Sequence, residues 1–139
     1  MKVNIKLIED GKMPVKMHET DAGFDCYARK IEKIGNQFKY WLGFAIEIPV
    51  GYIGLVFPRS SVYKTGMLLT NCIGVVDPGF TGEVGAIYLP LDTEKEIYSV
   101  DDRVVQLIII KNTEVELNLV DNLSDSDRGE GGYGSTGNK

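Results

Sequence analysis

Apolar residues in this chain alternate with polar ones in short runs, and turn-forming residues cut each run before a long helix could form. That pattern predicts β-strands. Val3, Ile5 and Leu7 alternate with Lys2, Asn4 and Lys6, so one face of the run suits a core and the other suits water. Phe44, Ile46 and Ile48 alternate in the same way and stop at Pro49-Val50-Gly51. The run from Tyr52 to Phe57 ends at Pro58, which cannot donate to a strand ladder. Cys72 to Val76 and Val84 to Leu89 flank Asp77-Pro78-Gly79, a strong turn signal. Val104 to Ile110 is continuously apolar and suits a strand covered on both faces. Val115, Leu117 and Leu119 alternate once more. Only the residues after Ser60 suggest a helix, of a turn or two. The expected fold is all-β, a sandwich or barrel.

With 139 residues and 43% hydrophobic content, the chain fits one domain that can bury a core without disulfides. The β domain is expected over 1–120. The polar stretch from Asp121 to Asp127 lacks periodicity and reads as a linker to a glycine-rich end, so 121–139 is expected to be linker and lid. A net charge of −5 argues against a general nucleic-acid or anionic-membrane surface. Any polyanion must be met by local positive groups or by a metal. Cys26 and Cys72 lack metal-ligand spacing and read as free, partly buried thiols in a reducing compartment. His18 is the sole histidine, which leaves no His-rich zinc site and suits a loop. The chain has no apolar run of membrane-spanning length and no signal-peptide core, so a cytoplasmic location is expected.

Five blocks concentrate chemistry. In Pro58-Arg59-Ser60-Ser61, a serine could cap a short helix with Arg59 solvated, or the guanidinium fork and hydroxyls could hold phosphate oxygens. Asp77 sits at a hairpin corner, either as the first residue of a favoured turn or as a carboxylate that takes a proton from water. Phe80 beside it is a core residue or a platform for a sugar. Asp21 and Asp25 flank a short loop, either solvated or forming an oxygen-rich site for Mg²⁺, which keeps several waters. Asp102-Arg103 opens the most apolar strand and Gln106 lies inside it. Arg103 could pair with a carboxylate, and Gln106 could face a ligand. The tail, Arg128-Gly129-Glu130-Gly131-Gly132-Tyr133-Gly134-Ser135-Thr136-Gly137, combines a cation, an aromatic ring and hydroxyls on a glycine backbone. Those parts can close over a flat base and a phosphate chain.

In this order the blocks resemble the five motifs of the trimeric deoxyuridine triphosphatases. Ala22-Gly23-Phe24-Asp25 is similar to the family's first motif. Pro58 to Gly66 is similar to the second, and Asn71 to Glu83, around Gly74-Val75-Val76-Asp77, to the third. Asp102-Arg103 with Gln106-Leu107-Ile108 resembles the fourth, and Arg128 to Gly137 the fifth. Three of the four arginines, Arg59, Arg103 and Arg128, fall inside these blocks. The sequence departs from the family habit at Phe80 (usually Tyr), Tyr133 (usually Phe), Ser61 (often Gly), Cys26 (often Leu) and Asp101 (often Gly).

The resemblance implies a jelly-roll-like distorted β-barrel, the β-clip of this family, with at most one short helix. It implies a homotrimer with shared active sites, and Mg²⁺-assisted hydrolysis of dUTP to dUMP and pyrophosphate by water attack on the α-phosphorus. Such a reaction limits uracil incorporation into DNA and supplies dUMP. By the same resemblance Asp77 is the catalytic carboxylate, and Asp25 holds the metal indirectly through water. Arg59, Ser60, Ser61 and Gln106 contact phosphates. Asn71, Val75 and Val76 read uracil, largely through backbone, and Phe80 lies under the deoxyribose. From the tail, Arg128, Gly134, Ser135 and Thr136 reach the substrate and Tyr133 stacks on the base. Two alternatives share the fold. The dCTP deaminases are similar, but the strand expected to carry their catalytic glutamate here reads Ala86-Ile87-Tyr88, without an acid. A nucleotide-dependent regulator could use the same scaffold.

Overall fold

A computed structural model describes residues 1–132. The N-terminal alternation forms β1 (Asn4–Leu7), which pairs with β5 (Phe44–Glu47) in a two-stranded sheet. The long apolar run forms β10 (Arg103–Lys111). It lies inside a four-stranded sheet, between β2 (Phe24–Tyr27) and β6 (Tyr52–Pro58), with β8 (Gly74–Val76) beyond β6. A second four-stranded sheet has the order β3 (Lys30–Ile34), β4 (Gln37–Trp41), β9 (Gly85–Pro90), β7 (Met67–Leu69). Every pairing is antiparallel.

One hydrophobic core joins the sheets. Cys26, Val56, Val76, Val105 and Leu107 come from the sheet centred on β10, Tyr40, Met67, Leu69, Ala86 and Tyr88 from the β4–β9 sheet, and Phe44 and Ile46 from β5. At its centre Tyr40, Tyr88 and Tyr98 pack edge to face, with ring centroids 5.7–6.0 Å apart. The buried hydroxyls of Tyr40 and Tyr88 donate to the carbonyls of Tyr98 and Val104. The all-β, jelly-roll-like expectation therefore holds, and the one short helix is a 3₁₀ turn over Ser60–Lys64.

The structure departs from the sequence-based expectation in several places. Strands β2, β3, β4 and β7 were not expected. Asp25 lies within β2 rather than in a loop. Both cysteines are free as expected, but neither is partly buried: Cys26 is fully buried in the core, and Cys72 is exposed, on a turn residue with φ +58. Residues 112–120 form no strand, and Val115, Leu117 and Leu119 stand 70%, 93% and 98% exposed. Alternation makes a strand only where an edge is free to pair, and the last ladder-like bond runs from the Asn112 N–H to the Gly51 carbonyl. Asp101, at the position where the family often has glycine, takes φ +74, a conformation that Asp tolerates better than most residues.

Candidate active site

The residues around Asp25 form a cluster fixed by strand register. Asp25 and Phe57 both stand opposite Gln106 across the two ladders of β10, and Arg59 follows directly from β6. The Arg59 fork closes on Asp25, with Nε 2.9 Å from Oδ1 and Nη2 3.2 Å from Oδ2. Arg103 Nη1 adds a third contact to Oδ2 at 3.0 Å. Asp25 is half-buried, so two cations and three donated hydrogen bonds offset the cost of removing its carboxylate from water. Arg59 Nη1 also donates to Ser61 Oγ at 3.3 Å. A guanidinium has five N–H groups, so two remain for a ligand after these three. Arg103 does pair with a carboxylate, and the partner is Asp25. The serine-cap reading fails, because Arg59 occupies the cap position without a side-chain cap bond.

Gln106 donates from Nε2 to the Pro58 carbonyl at 3.2 Å, which leaves its Oε1 free to lie against Gly23. A Cβ on residue 23 would stand 2.8 Å from that oxygen and 3.3 Å from the Gln106 Cβ. The glycine of the first block therefore makes room for the glutamine of the fourth. Asp21, Asp25, Arg59, Ser60 and Gln106 line a polar cleft of about 200 Å³. Cys26, next to Asp25, points into the core instead. Burial pushes its thiol up to about 12, so it stays protonated and is no nucleophile.

The second group lies elsewhere on the chain. Asn71 and Phe80 line a different cleft, of about 330 Å³, with Lys39, Thr70, Glu83 and Ile87. Val76 is buried against Gly54 of β6, so it offers a ligand only backbone, whereas Val75 is 58% exposed. Asp77 follows β8 at the exposed corner, and the Phe80 N–H donates to its carbonyl at 3.2 Å. Among the described residues no hydrogen bond or ion pair engages the Asp77 carboxylate. The Phe80 ring lies against Gly82, where a Cβ would meet it at 2.8 Å. Arg128 is exposed and its Nε donates to the Gly131 carbonyl. Tyr133, Gly134, Ser135 and Thr136 lie outside the described residues.

The structure thus brings Asp25, Arg59, Ser60, Ser61 and Gln106 together, and separately sets Asn71 and Phe80 in one cleft, with Val75 and Asp77 on the chain segment that joins them. Sequence reasoning gave no role to Arg29 or Glu83, which form a bidentate pair beside the second cleft. The signal present was a lone arginine shortly after β2 and a glutamate closing a glycine-containing loop.

Known proteins match this arrangement. The family model described as dUTPase matches residues 9–137. The deoxyuridine 5'-triphosphate nucleotidohydrolase of Corynebacterium glutamicum is 36% identical over 137 residues, covering 96% of this chain and 92% of that protein. The protein of the same name from Clostridium tetani is 35% identical, covering 97% and 96%. Among solved structures, a mutant dUTPase of Staphylococcus bacteriophage 80alpha with dUpNHpp superposes with a TM-score of 0.82 at 26% identity, covering 98% of each chain. A mutant dUTPase of phage phi11 of S. aureus, 24% identical, has the same fold with a TM-score of 0.74, covering 88% of this chain and 98% of that one. Matches of that span and identity make this chain a member of the dUTPase family, an enzyme that hydrolyses dUTP.

Proposed function

We propose that dUTP hydrolysis here uses Asp77 as the base for the attacking water, in a site built from more than one copy of the chain. The observation that carries this reading is the separation of the two groups. The arginine-rich cleft around Asp25 and the cleft beside Asn71 and Phe80 share no lining residue, yet one nucleotide triphosphate needs both a phosphate clamp and a base pocket. A second copy supplies the missing half of each site, and the homotrimer is the assembly proposed. The exposed apolar side chains at Val115, Leu117 and Leu119 support association as well. Covering a side chain of that kind stabilises by roughly 1.5–3 kcal/mol.

The chemistry follows from the groups. Water attacks the α-phosphorus, the bond to the bridging oxygen breaks and pyrophosphate leaves, and the water proton passes to the Asp77 carboxylate. The reaction depends on positioning and charge neutralisation. Arg59 retains two N–H groups for phosphate oxygens, with Ser60 and Gln106 beside it. Asn71 and the backbone from Gly74 to Val76 face uracil, whose exclusion of thymine and cytosine is a matter of shape and donor pattern. Phe80 supports the deoxyribose. The tail residues Arg128, Tyr133, Gly134, Ser135 and Thr136 close the site.

The donors of the arginine cleft suit a divalent cation held through water. The phage phi11 dUTPase is described with a structural Mg(II) ion. Among the described residues no three His, Cys, Asp or Glu side chains gather to hold a metal. Asp25 accepts three hydrogen bonds from arginines, which leaves about one of a carboxylate's four lone-pair sites. Asp25 therefore suits a hydrogen bond from metal-bound water rather than direct ligation. Mg²⁺ bound with the triphosphate would supply charge neutralisation there.

The test is pyrophosphate release from dUTP and Mg²⁺ by the purified protein and by Asp77→Asn. The variant is expected to bind dUTP and to lose about 3–5 kcal/mol of transition-state stabilisation. Wild-type turnover in Asp77→Asn would rule out Asp77 as the base.

A further inference from the structure

We propose that the Arg29–Glu83 pair is a positioning device for the loop that carries Asp77 and Phe80, an inference that rests on the assignment of Asp77 as base. The loop from Asp77 to Gly82 turns at Pro78-Gly79, with Gly79 at φ +88 and the Phe80 N–H bonded to the Asp77 carbonyl, but among the described residues no side chain from 77 to 82 ties it to the rest of the fold by a hydrogen bond. Its first end is fixed by Val76, buried in the β8–β6 ladder. Its second end is fixed at Glu83 and Val84. The Val84 N–H donates to the Phe44 carbonyl at 2.9 Å, and the Val84 carbonyl accepts from Leu42 at 3.0 Å.

Glu83 is the only residue from 77 to 83 whose side chain makes a hydrogen bond among the described residues. It makes three. Arg29 Nε reaches Oε1 at 3.1 Å, Arg29 Nη2 reaches Oε2 at 2.8 Å, and the Gly43 N–H donates to Oε1 at 2.9 Å. Both partners are mostly shielded, with side chains 20% and 14% exposed. Gly43 is itself wedged, since a Cβ there would meet Gly11 at 2.5 Å and the Arg29 stem at 3.1 Å. Glu83 also lines the cleft shared by Asn71 and Phe80. A neutralised, doubly anchored carboxylate at this point sets where the loop rejoins the fold, and so, together with Val76 at the other end, sets the reach of Asp77. A displacement of about 1 Å at a reacting group can reduce a rate by as much as 100-fold.

The experiment compares kcat, KM for dUTP and thermal stability for Arg29→Met, Arg29→Lys, Glu83→Gln and Asp77→Asn, and for Arg29→Met combined with Asp77→Asn. Assays run well below every melting temperature. Arg29→Met is expected to lower kcat by about tenfold with KM changed less than about threefold, and Arg29→Lys to recover part of that loss. In the Asp77→Asn background the same substitution should change the residual rate by less than about twofold, because the group it positions is gone. Wild-type kcat in a folded Arg29→Met, or an equal loss in both backgrounds, overturns the inference. If Arg29→Met does not fold, Glu83→Gln takes its place in both backgrounds, and the same two results overturn the inference. Wild-type turnover in Asp77→Asn alone instead overturns the assignment of the base, whatever Arg29→Met does.

Discussion

Asp25 shows how residue-scale chemistry organises this site. A half-buried carboxylate between two guanidinium groups is a fixed counter-charge, and it holds Arg59 in one orientation with two N–H donors unused. Gln106 is fixed in the same way, by the Pro58 carbonyl and by the space above Gly23. Gly23→Ala tests that arrangement. The new Cβ crowds both Gln106 and Ile108, so Gln106 is expected to leave Pro58, with a stability loss of about 1 kcal/mol. KM for dUTP should rise several-fold while kcat changes less, measured by steady-state pyrophosphate release and urea unfolding. An unchanged KM would detach Gln106 from substrate binding. The residues of this cleft were legible in the sequence because they sit in compact blocks with recognisable order. Arg29 and Glu83 were not, because nothing local links them. Their meeting depends on the crossing of Gly11 and Gly43, a tertiary event.

At the scale of elements, legibility followed apolar content. β10, β6 and β9 announce themselves by continuous or alternating apolar residues. β3 and β4 do not, since Lys30, Glu32 and Lys33 make β3 mostly polar and exposed. Yet the Gly35-Asn36 pair between them, with Gly35 at φ +61, is a two-residue hairpin signal that could have located both strands. The arm at 112–120 fails in the opposite sense, with a strand's pattern and no edge to pair with. The core strands lead to a prediction about pH. Burial raises Cys26 from 9.0 to about 12 and Tyr40 from 10.0 to about 12, and it raises Tyr88 and Tyr98 as well. The folded state therefore keeps protons that the unfolded chain releases. The stability this contributes is complete below pH of about 9 and is lost as pH rises from about 9 towards about 12. Urea midpoints should fall across that window, and Cys26→Ala should flatten the first part of the fall. Near pH 8 a thiol reagent should modify exposed Cys72 quickly and Cys26 only on unfolding. Equal rates at the two thiols would contradict the buried placement of Cys26.

At the scale of the whole molecule, the proposal of a shared site rests on two clefts with no lining residue in common. Each half is preorganised, one by the Asp25 arginines and the other by the β8–β6 ladder and the Glu83 anchor. A shared site makes a distinctive demand on mixtures. Asp77→Asn removes the proposed base from the hairpin half, and Arg59→Gln removes a proposed phosphate donor from the other half. Each variant alone should turn over dUTP poorly. In the proposed trimer, co-assembled from equal amounts of the two, a site is intact when its hairpin comes from the Arg59→Gln chain and its arginine cleft from the Asp77→Asn chain. Random assortment gives about one intact site in four, so co-expression should restore roughly a quarter of wild-type pyrophosphate release. Activity no greater than the mean of the two single variants would contradict a site shared between chains.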